Sequence, residues 1–293
     1  MSLNTFPVGD RQKIKLLVLD IDGTISGISN QVRQPVIEAI AKVKQQGIPV
    51  AVATGRMFCS ALRFYEAIGA GLPLICYNGA LIQDPETNKV HHHFPISIPL
   101  AGQILDFLEQ PQYRDQMTVH FYIDDCLHVQ DMGEDTRKYL DRTSAPIRVV
   151  DSLRERLTVE PTKILALSEN LELIEELSAD ICATFPQDKL HFTKSSPNFF
   201  EITHPLANKG FAVQYLAETV LGLKSENVMA IGDNFNDLEM IEYAGIGVAM
   251  GNAPAPIQRI ADWIAPSIEE DGVVTALAQI LNGGIRIDGR LGR

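Results

Sequence analysis

Apolar positions along this chain follow two rhythms. In the first, short continuous runs alternate with stripes of helical spacing. Ile14-Lys15-Leu16-Leu17-Val18-Leu19 has the length and branched content of a buried strand, and Gly23-Thr24 breaks the segment that follows it. From Val32 to Gln46 apolar side chains fall at 32, 36, 37, 40 and 43, a helical stripe with Pro35 near its start and Gly47 just past its end. Ile48 to Ala53 reads as a second buried strand, Phe58 to Ile68 as a helix, and Leu74 to Tyr77 as a short strand. This βαβαβ order predicts a parallel sheet with right-handed crossovers.

The second rhythm runs from about Asp84 to Phe192 and is hairpin-like. Polar turns at Asp84 to Asn88 and at Asp124-Asp125 separate extended runs. Helices are predicted near 98–109, 134–142 and 170–181, with strands near 163–167, 189–193 and 198–203. The segment reads as a separate α+β unit inserted into the first fold. After Pro205 the parallel rhythm returns: helices near 209–221, 237–243, 254–260 and 272–281 alternate with strands at 228–231, 246–248 and 262–264. The Gly/Arg-rich tail, 282–293, is expected to fray.

Composition narrows the class. The chain has 293 residues, 45% hydrophobic and 21% charged, as an ordinary globular protein of one large or two moderate domains does. No window approaches the ~18 uninterrupted apolar residues of a membrane span, and the N-terminus lacks a basic segment followed by an apolar one. Cys59, Cys76, Cys126 and Cys182 form no CxxC pair, so buried free thiols in a reducing compartment, the cytoplasm, are expected. A formal net charge of −12 argues against nucleic acid and anionic membranes as partners. A bound divalent cation would reconcile that charge with a phosphate substrate, because the local charge at a metal site dominates the global one.

Asp20 and Asp22 are the strongest chemical signal. Strand side chains two apart share a face, so both carboxylates point into one crevice at the strand's carboxyl edge, where open α/β sheets place ligands. One carboxylate can attack an electrophile while the other handles the proton. D-x-D-G also opens a calcium loop, but a closing Glu is required there and position 31 is Gln. Three more signals follow predicted strands or open helices. The hydroxyl and amides of Thr54-Gly55-Arg56 can hold an oxyanion. Lys209 stands near a helix start, where ammonium and dipole both favour an anion. Gly232-Asp233-Asn234-Phe235-Asn236-Asp237 places carboxylates at 233 and 237, hard oxygen ligands that select magnesium over zinc. Alone, each also fits a plain turn or a solvated lysine; in this order, each beside a strand, they form one constellation.

That constellation resembles the haloacid dehalogenase-like hydrolase superfamily, in its Cof-type phosphatase branch with a large cap. Leu16 to Thr24, Thr54 to Arg56, Tyr77 to Ala80, Glu201-Ile202 to Lys209-Gly210, Gly232 to Asp237, Val248 to Ala253 and Glu270 to Val273 carry the likeness. It implies an α/β fold: a Rossmann-like parallel-sheet core, 1–84 and 193–293, with an inserted α+β cap domain at 85–192. It implies a Mg2+-dependent phosphatase acting on a small phosphate ester, a sugar phosphate or phosphorylated cofactor, as a monomer or homodimer. Asp20 would be the nucleophile and Asp22 the acid and base, with a raised pKa. Thr54 would bind the phosphoryl group, and Lys209 would neutralise it and orient Asp20; Gly55 belongs to the same oxyanion turn, and Arg56 and Asn78, at strand ends facing the crevice, either contact substrate or satisfy loop carbonyls. Asp20, the backbone carbonyl of Asp22, and Asp233 would hold the metal, with Asp237 supporting them. A phosphotransferase or mutase, a receiver-like signalling module and a non-catalytic phospho-ligand sensor are the competing readings.

Other features read more plainly. His91-His92-His93 is expected on a surface strand rather than at a metal, because alternating faces split the three. Asp124-Asp125 reads as a hairpin turn, Asn252 as a helix cap or turn residue, and Trp263 as core.

Overall fold

The computed structural model describes residues 14–186, 188–194 and 197–281; the tail expected to fray lies outside them. The first part of the chain forms β1 (Leu16–Leu19), α1 (Gln34–Gln45), β2 (Val50–Val52), α2 (Phe58–Ile68), β3 (Leu74–Cys76), β4 (Leu81–Gln83) and β5 (Val90–His93). The middle forms α3 (Ile98–Leu108), β6 (Thr118–Ile123), β7 (Cys126–Val129), α4 (Glu134–Thr143), β8 (Ile147–Val149), β9 (Lys163–Leu167), α5 (Leu171–Thr184), β10 (His191–Thr193) and β11 (Phe199–Thr203). The last part forms α6 (Lys209–Gln214), β12 (Val228–Gly232), α7 (Leu238–Tyr243), β13 (Ile246–Ala249), α8 (Ala255–Ile260), β14 (Trp263–Ile264) and α9 (Gly272–Leu281). The long helix expected after Pro205 is α-helical only to Gln214 and continues over Tyr215–Val220 as wider π turns.

β1, β2, β12 and β13 are buried along their whole length. Apolar runs without alternation suit a sheet covered on both faces. With β14 they form a parallel five-stranded sheet, ordered β14-β13-β12-β1-β2. β1 therefore lies between β2, its successor in sequence, and β12, which arrives from the far end of the chain. Winding reverses there, and a crevice opens beyond the strands' carboxyl ends. Leu19 pairs with Ile231 on one side and Val52 on the other, so the residues that follow β1, β2 and β12 emerge side by side. Trp263, expected in the core, stands in edge strand β14 and is only partly buried. Of the cysteines expected to be buried, only Cys76 is; all four are free thiols. Among the described residues no helix is long and apolar enough to cross a membrane.

Neither expected boundary of the insert coincides with a sheet. β3 touches the parallel sheet through one bridge, Ala53 to Ile75, and then pairs with β4, which pairs with β5. Residue 84 thus falls within a hairpin rather than between units. At the other end β11 lies between β9 and β10 in a six-stranded sheet, so this sheet holds the chain to Thr203 and not to residue 192. Nothing local in an amphipathic strand says which sheet it will join.

Alternation sorts the faces of the six-stranded sheet. Phe121, Ile123, Ile164, Ala166, Phe200 and Ile202 pack with the apolar sides of α3 and α5. Tyr122, Leu165 and Leu167, on the opposite face, join the apolar cluster of the parallel-sheet unit. Lys163 and Glu201, on that same face, line a cavity that also reaches Asp20.

Buried beside this face, His120 meets the Thr136 hydroxyl at 3.0 Å. Burial, helped by the charge of Lys163, pushes its pKa down to about 3. The native state holds the imidazole neutral while the unfolded chain protonates it near 6.5, so stability is complete above that pH and is lost as pH falls below it. Urea unfolding at pH 7 and pH 5 should show His120 costing about 2 kcal/mol at the lower pH. His120→Asn should remove that share of the pH dependence, and an unchanged pH dependence would refute it.

Candidate active site

Asp20 leaves β1 with its amide bonded to the Ile231 carbonyl at 3.0 Å, which fixes its backbone between β1 and β12. Lys209, the first residue of α6, is fully buried. Its Nζ lies 2.6 Å from Oδ1 of Asp20 and 2.5 Å from Oδ1 of Asp237. The start of α6 is itself held by Asn208, whose side chain accepts the Phe211 amide at 2.7 Å. The other oxygen of Asp237 accepts the amides of Asp233 and Asn234, at 2.8 and 3.0 Å. Asp237 thereby closes the loop after β12 and ties it to Lys209.

Asp233 is oriented from two loops. Thr24 donates its hydroxyl to Oδ1 at 3.2 Å, and Asn252 donates its amide to Oδ2 at 3.1 Å. The same Asn252 amide group reaches the Gly23 carbonyl at 3.0 Å, and its oxygen accepts the Ile268 amide at 3.0 Å. Gly23 has φ +82°, and a Cβ there would stand 2.0 Å from Asp233 Oδ2. Only glycine admits the carboxylate so close. Asn252, read from the sequence as a turn residue, is thus a brace for Asp233. Its signal was its place after β13, at the same carboxyl edge as the acidic residues.

Asp22 departs from expectation. Arg56 grips its carboxylate with Nε and Nη2, both at 2.7 Å, and Arg142 of α4 adds a contact at 3.1 Å. Burial alone would raise its pKa, but the bonds and charge of Arg56, then of Arg142, outweigh it and leave the pKa below the ordinary carboxylate value. The expected raised pKa is therefore overturned. The reason is invisible in sequence: a second guanidinium arrives from the inserted unit, 120 residues away.

The remaining expected residues divide. Gly55 and Arg56 line a cavity of about 330 Å3 together with Asp20 and Asp22. Thr54 is buried beneath it, its hydroxyl oxygen accepting the Arg56 amide at 3.1 Å. Asn78 does not line the cavity. It is a buried strut, donating to Glu201 at 3.3 Å and accepting from Asn236 at 2.9 Å. Glu201 also holds Lys163 at 3.1 Å, a buried ion pair in the cavity's roof. Tyr139, Arg142 and Glu169 also belong to that roof. The three histidines part company: His93 meets Thr162 at 2.8 Å, while His92 packs edge-on against Tyr215 with ring centres 4.2 Å apart.

The family described as haloacid dehalogenase-like hydrolase matches residues 17–277. YxeH of Bacillus subtilis (strain 168) is 31% identical over 278 residues, covering 91% of this chain and 98% of its own. The 5-amino-6-(5-phospho-D-ribitylamino)uracil phosphatase YitU of the same bacterium is 29% identical over 269 residues, 90% of this chain and 96% of its own. A solved haloacid dehalogenase-like hydrolase from Bacteroides thetaiotaomicron superposes with a TM-score of 0.81 at 26% identity, covering 92% of this chain and all of that one. The chain belongs to the haloacid dehalogenase-like hydrolases. It is a Cof-type member and a phosphoric monoester hydrolase.

Haloacid dehalogenase-like hydrolases generally use Mg2+, and the residues here suit such an ion. Ligand oxygens of Asp20, Asp233 and Asp237 lie within 4.8 Å of one another. Burial, then the charge of Asp237, holds Asp20 well above the usual carboxylate range and pushes Asp233 up to about 7. Burial also works against the charge of Lys209, but Asp20 and Asp237 more than offset it and raise its pKa. One ammonium does not balance three carboxyl groups, and the raised pKa values of Asp20 and Asp233 register that want of positive charge, which a hard divalent cation on oxygen ligands would supply. Asn252→Ala removes a brace from Asp233 and should weaken Mg2+ binding at least about tenfold, as outer ligand partners do. Calorimetric titration with Mg2+ reads it; unchanged affinity would show the brace to be idle.

Proposed function

We propose that this protein is a Mg2+-dependent phosphatase of small phosphorylated metabolites that works through a phosphorylated Asp20. The observation that carries the reading is Lys209, buried between Asp20 and Asp237 while Asp233 faces the same space. Lys209 grips Oδ1 of Asp20 and leaves Oδ2 as the attacking atom. That oxygen bonds to phosphorus as the ester oxygen departs, taking the proton of Asp22. Asp22 then removes a proton from water, which attacks the same phosphorus; Asp20 is released and inorganic phosphate leaves. Thr54, its hydroxyl oxygen fixed by the Arg56 amide, holds the phosphoryl oxygens with the Gly55 amide, and Lys209 balances their charge. Asp20, Asp233 and the Asp22 carbonyl would hold Mg2+, with Asp237 behind them; the ion would draw charge off the phosphoryl group.

The bonds to Arg56 and Arg142 keep Asp22 ionised at rest. A substrate anion competes for the same guanidinium groups, and the carboxyl they release can then carry the proton. Arg56 has a further donor for such an anion: its buried Nη1 has no partner among the described residues. A cavity of about 330 Å3 roofed by Lys163, Glu201 and Tyr139 suits a compact polar ester. Sugar phosphates and phosphorylated cofactors are of that kind, as is the phosphorylated ribityl compound named for YitU.

Turnover of p-nitrophenyl phosphate with Mg2+ tests the reading. EDTA and Asp20→Asn should each abolish it, and activity surviving either would reject the mechanism. Asp22→Asn separates the two steps, because p-nitrophenolate leaves without an acid whereas water still needs a base. Stopped-flow traces of that variant should show a burst approaching one equivalent per site, then turnover slowed about a hundredfold or more. Undiminished turnover without a burst would remove Asp22 from the chemistry.

A further inference from the structure

Asp124 and Asp125 make the two-residue turn between β6 and β7, both with left-handed backbone, φ 51° and 54°. Glycine or asparagine adopts that turn at less cost, so two aspartates there hold strain that asks for a reason. Asp124 is exposed, but Asp125 turns down onto the parallel-sheet unit. Its Oδ1 accepts the Phe58 amide at 3.0 Å and the Tyr77 hydroxyl at 2.7 Å; its Oδ2 accepts the Cys59 amide at 2.8 Å.

Phe58 and Cys59 are the first residues of α2, and Met57, which precedes them, offers no side-chain cap. The helix is capped instead by a carboxylate from the inserted unit, an anion on the positive end of the helix dipole. This is the helix that Thr54-Gly55-Arg56 runs into. Tyr77, the second anchor, begins a bend in which Tyr77 and Asn78 both have positive φ, 52° and 56°. One carboxylate therefore pins both segments of the parallel-sheet unit that frame the phosphate turn. Nearby contacts fasten the same face: Ser60 donates to the Thr143 carbonyl at 2.7 Å, and Asn30 to the Arg142 carbonyl at 2.7 Å.

We propose that Asp125 is a positioning residue: by capping α2 from the inserted unit, it sets the Thr54–Arg56 turn in place only while that unit is seated on the sheet. The proposal rests on the phosphatase reading for what the turn holds. Seating the unit and assembling the phosphate site then become one event, and transfer waits for closure.

Cys59 reports on the latch independently of turnover. Its Sγ lies 3.8 Å from the Asp125 carbonyl, and burial, then the Asp125 charge, pushes the thiol up to about 12. Without that carboxylate the thiol faces an uncapped helix N-terminus, where thiols ionise more readily. Asp125→Gly is the decisive variant, since glycine suits the turn at least as well and the hairpin still folds. Asp125→Asn keeps the shape and loses the charge. Iodoacetamide labelling of Cys59, located by peptide mass, should accelerate at least about tenfold in the glycine variant and less in the asparagine one. For p-nitrophenyl phosphate, kcat/KM should fall about tenfold in Asp125→Gly, chiefly through KM. Asp20→Asn should leave labelling as in the parent protein, so the latch is decided even if Asp20 proves not to be the nucleophile. Unchanged labelling in Asp125→Gly overturns the latch whatever the kinetics show. Faster labelling with unchanged kinetics overturns the positioning role.

Discussion

The ammonium of Lys209, wedged between Asp20 and Asp237 out of reach of water, is the contact on which the rest of the structure turns. Buried charges persist only when paired and hydrogen-bonded, and removing one partner costs about 3–5 kcal/mol because the other is left uncompensated. Here the pairing is deliberately incomplete, with three carboxylates against one ammonium. The parallel sheet pays for this by rigidity elsewhere. Register sets Asp20 beside the loop after β12, Asp237 closes that loop on two amides, and Gly23 lets Asp233 come close. Each device keeps like charges near one another without letting them move apart.

The six-stranded sheet meets that charged floor with a surface of matching kind. Period-two alternation sends one set of its side chains into α3 and α5 and the other toward the crevice. Because the two faces alternate, the roof carries polar and charged side chains without disturbing the apolar packing behind it. The buried Lys163–Glu201 pair shows how this is used: Glu201 also holds Asn78, and Asn78 holds Asn236 on the loop after β12. Roof and floor are joined by a chain of polar contacts rather than by apolar area alone. Such a chain is worth most when every link is satisfied, which favours one seated arrangement over many approximate ones.

Much of this floor was legible in the sequence, and for a definite reason. Uninterrupted apolar runs such as Leu16–Leu19 and Val228–Ile231 mark buried parallel strands, and the polar residues that end them fall at one edge by topology alone. Asp20, Asp233 and Asp237 could therefore be placed without coordinates, whereas Lys209 showed only as a lysine at a helix start. Contacts between the two units could not. Arg142 sits on an exposed polar helix whose spacing shows only that residues 135, 138, 139 and 142 share a side. Asp125 reads in sequence only as part of a hairpin turn, and its partners are 48 to 67 residues distant. Asn78 looked like a substrate contact because it follows a strand, yet its side chain is spent on Glu201 and Asn236. The limits of the insert were misplaced for the same reason: strand pairing is a long-range property, and local pattern reports only that a strand exists.

Asp20 and Asp22 are two residues apart and shifted in opposite directions, which shows how little the residue type itself decides. Asp20 is crowded by burial and by Asp237, and one ammonium does not undo that; Asp22 has the opposite surroundings, with two guanidinium groups closing on it from separate units. An ionised Asp22 is already the base that the second step needs. On the proposed mechanism it would become the acid of the first step only when something draws those arms away, and the group best able to do so is the anionic substrate itself. The same two arms would therefore receive the phosphate and release the proton carrier. With Arg142 standing on the inserted unit, that exchange would depend on the unit being seated, so the resting ion pair and the closed roof would act as one gate on the chemistry.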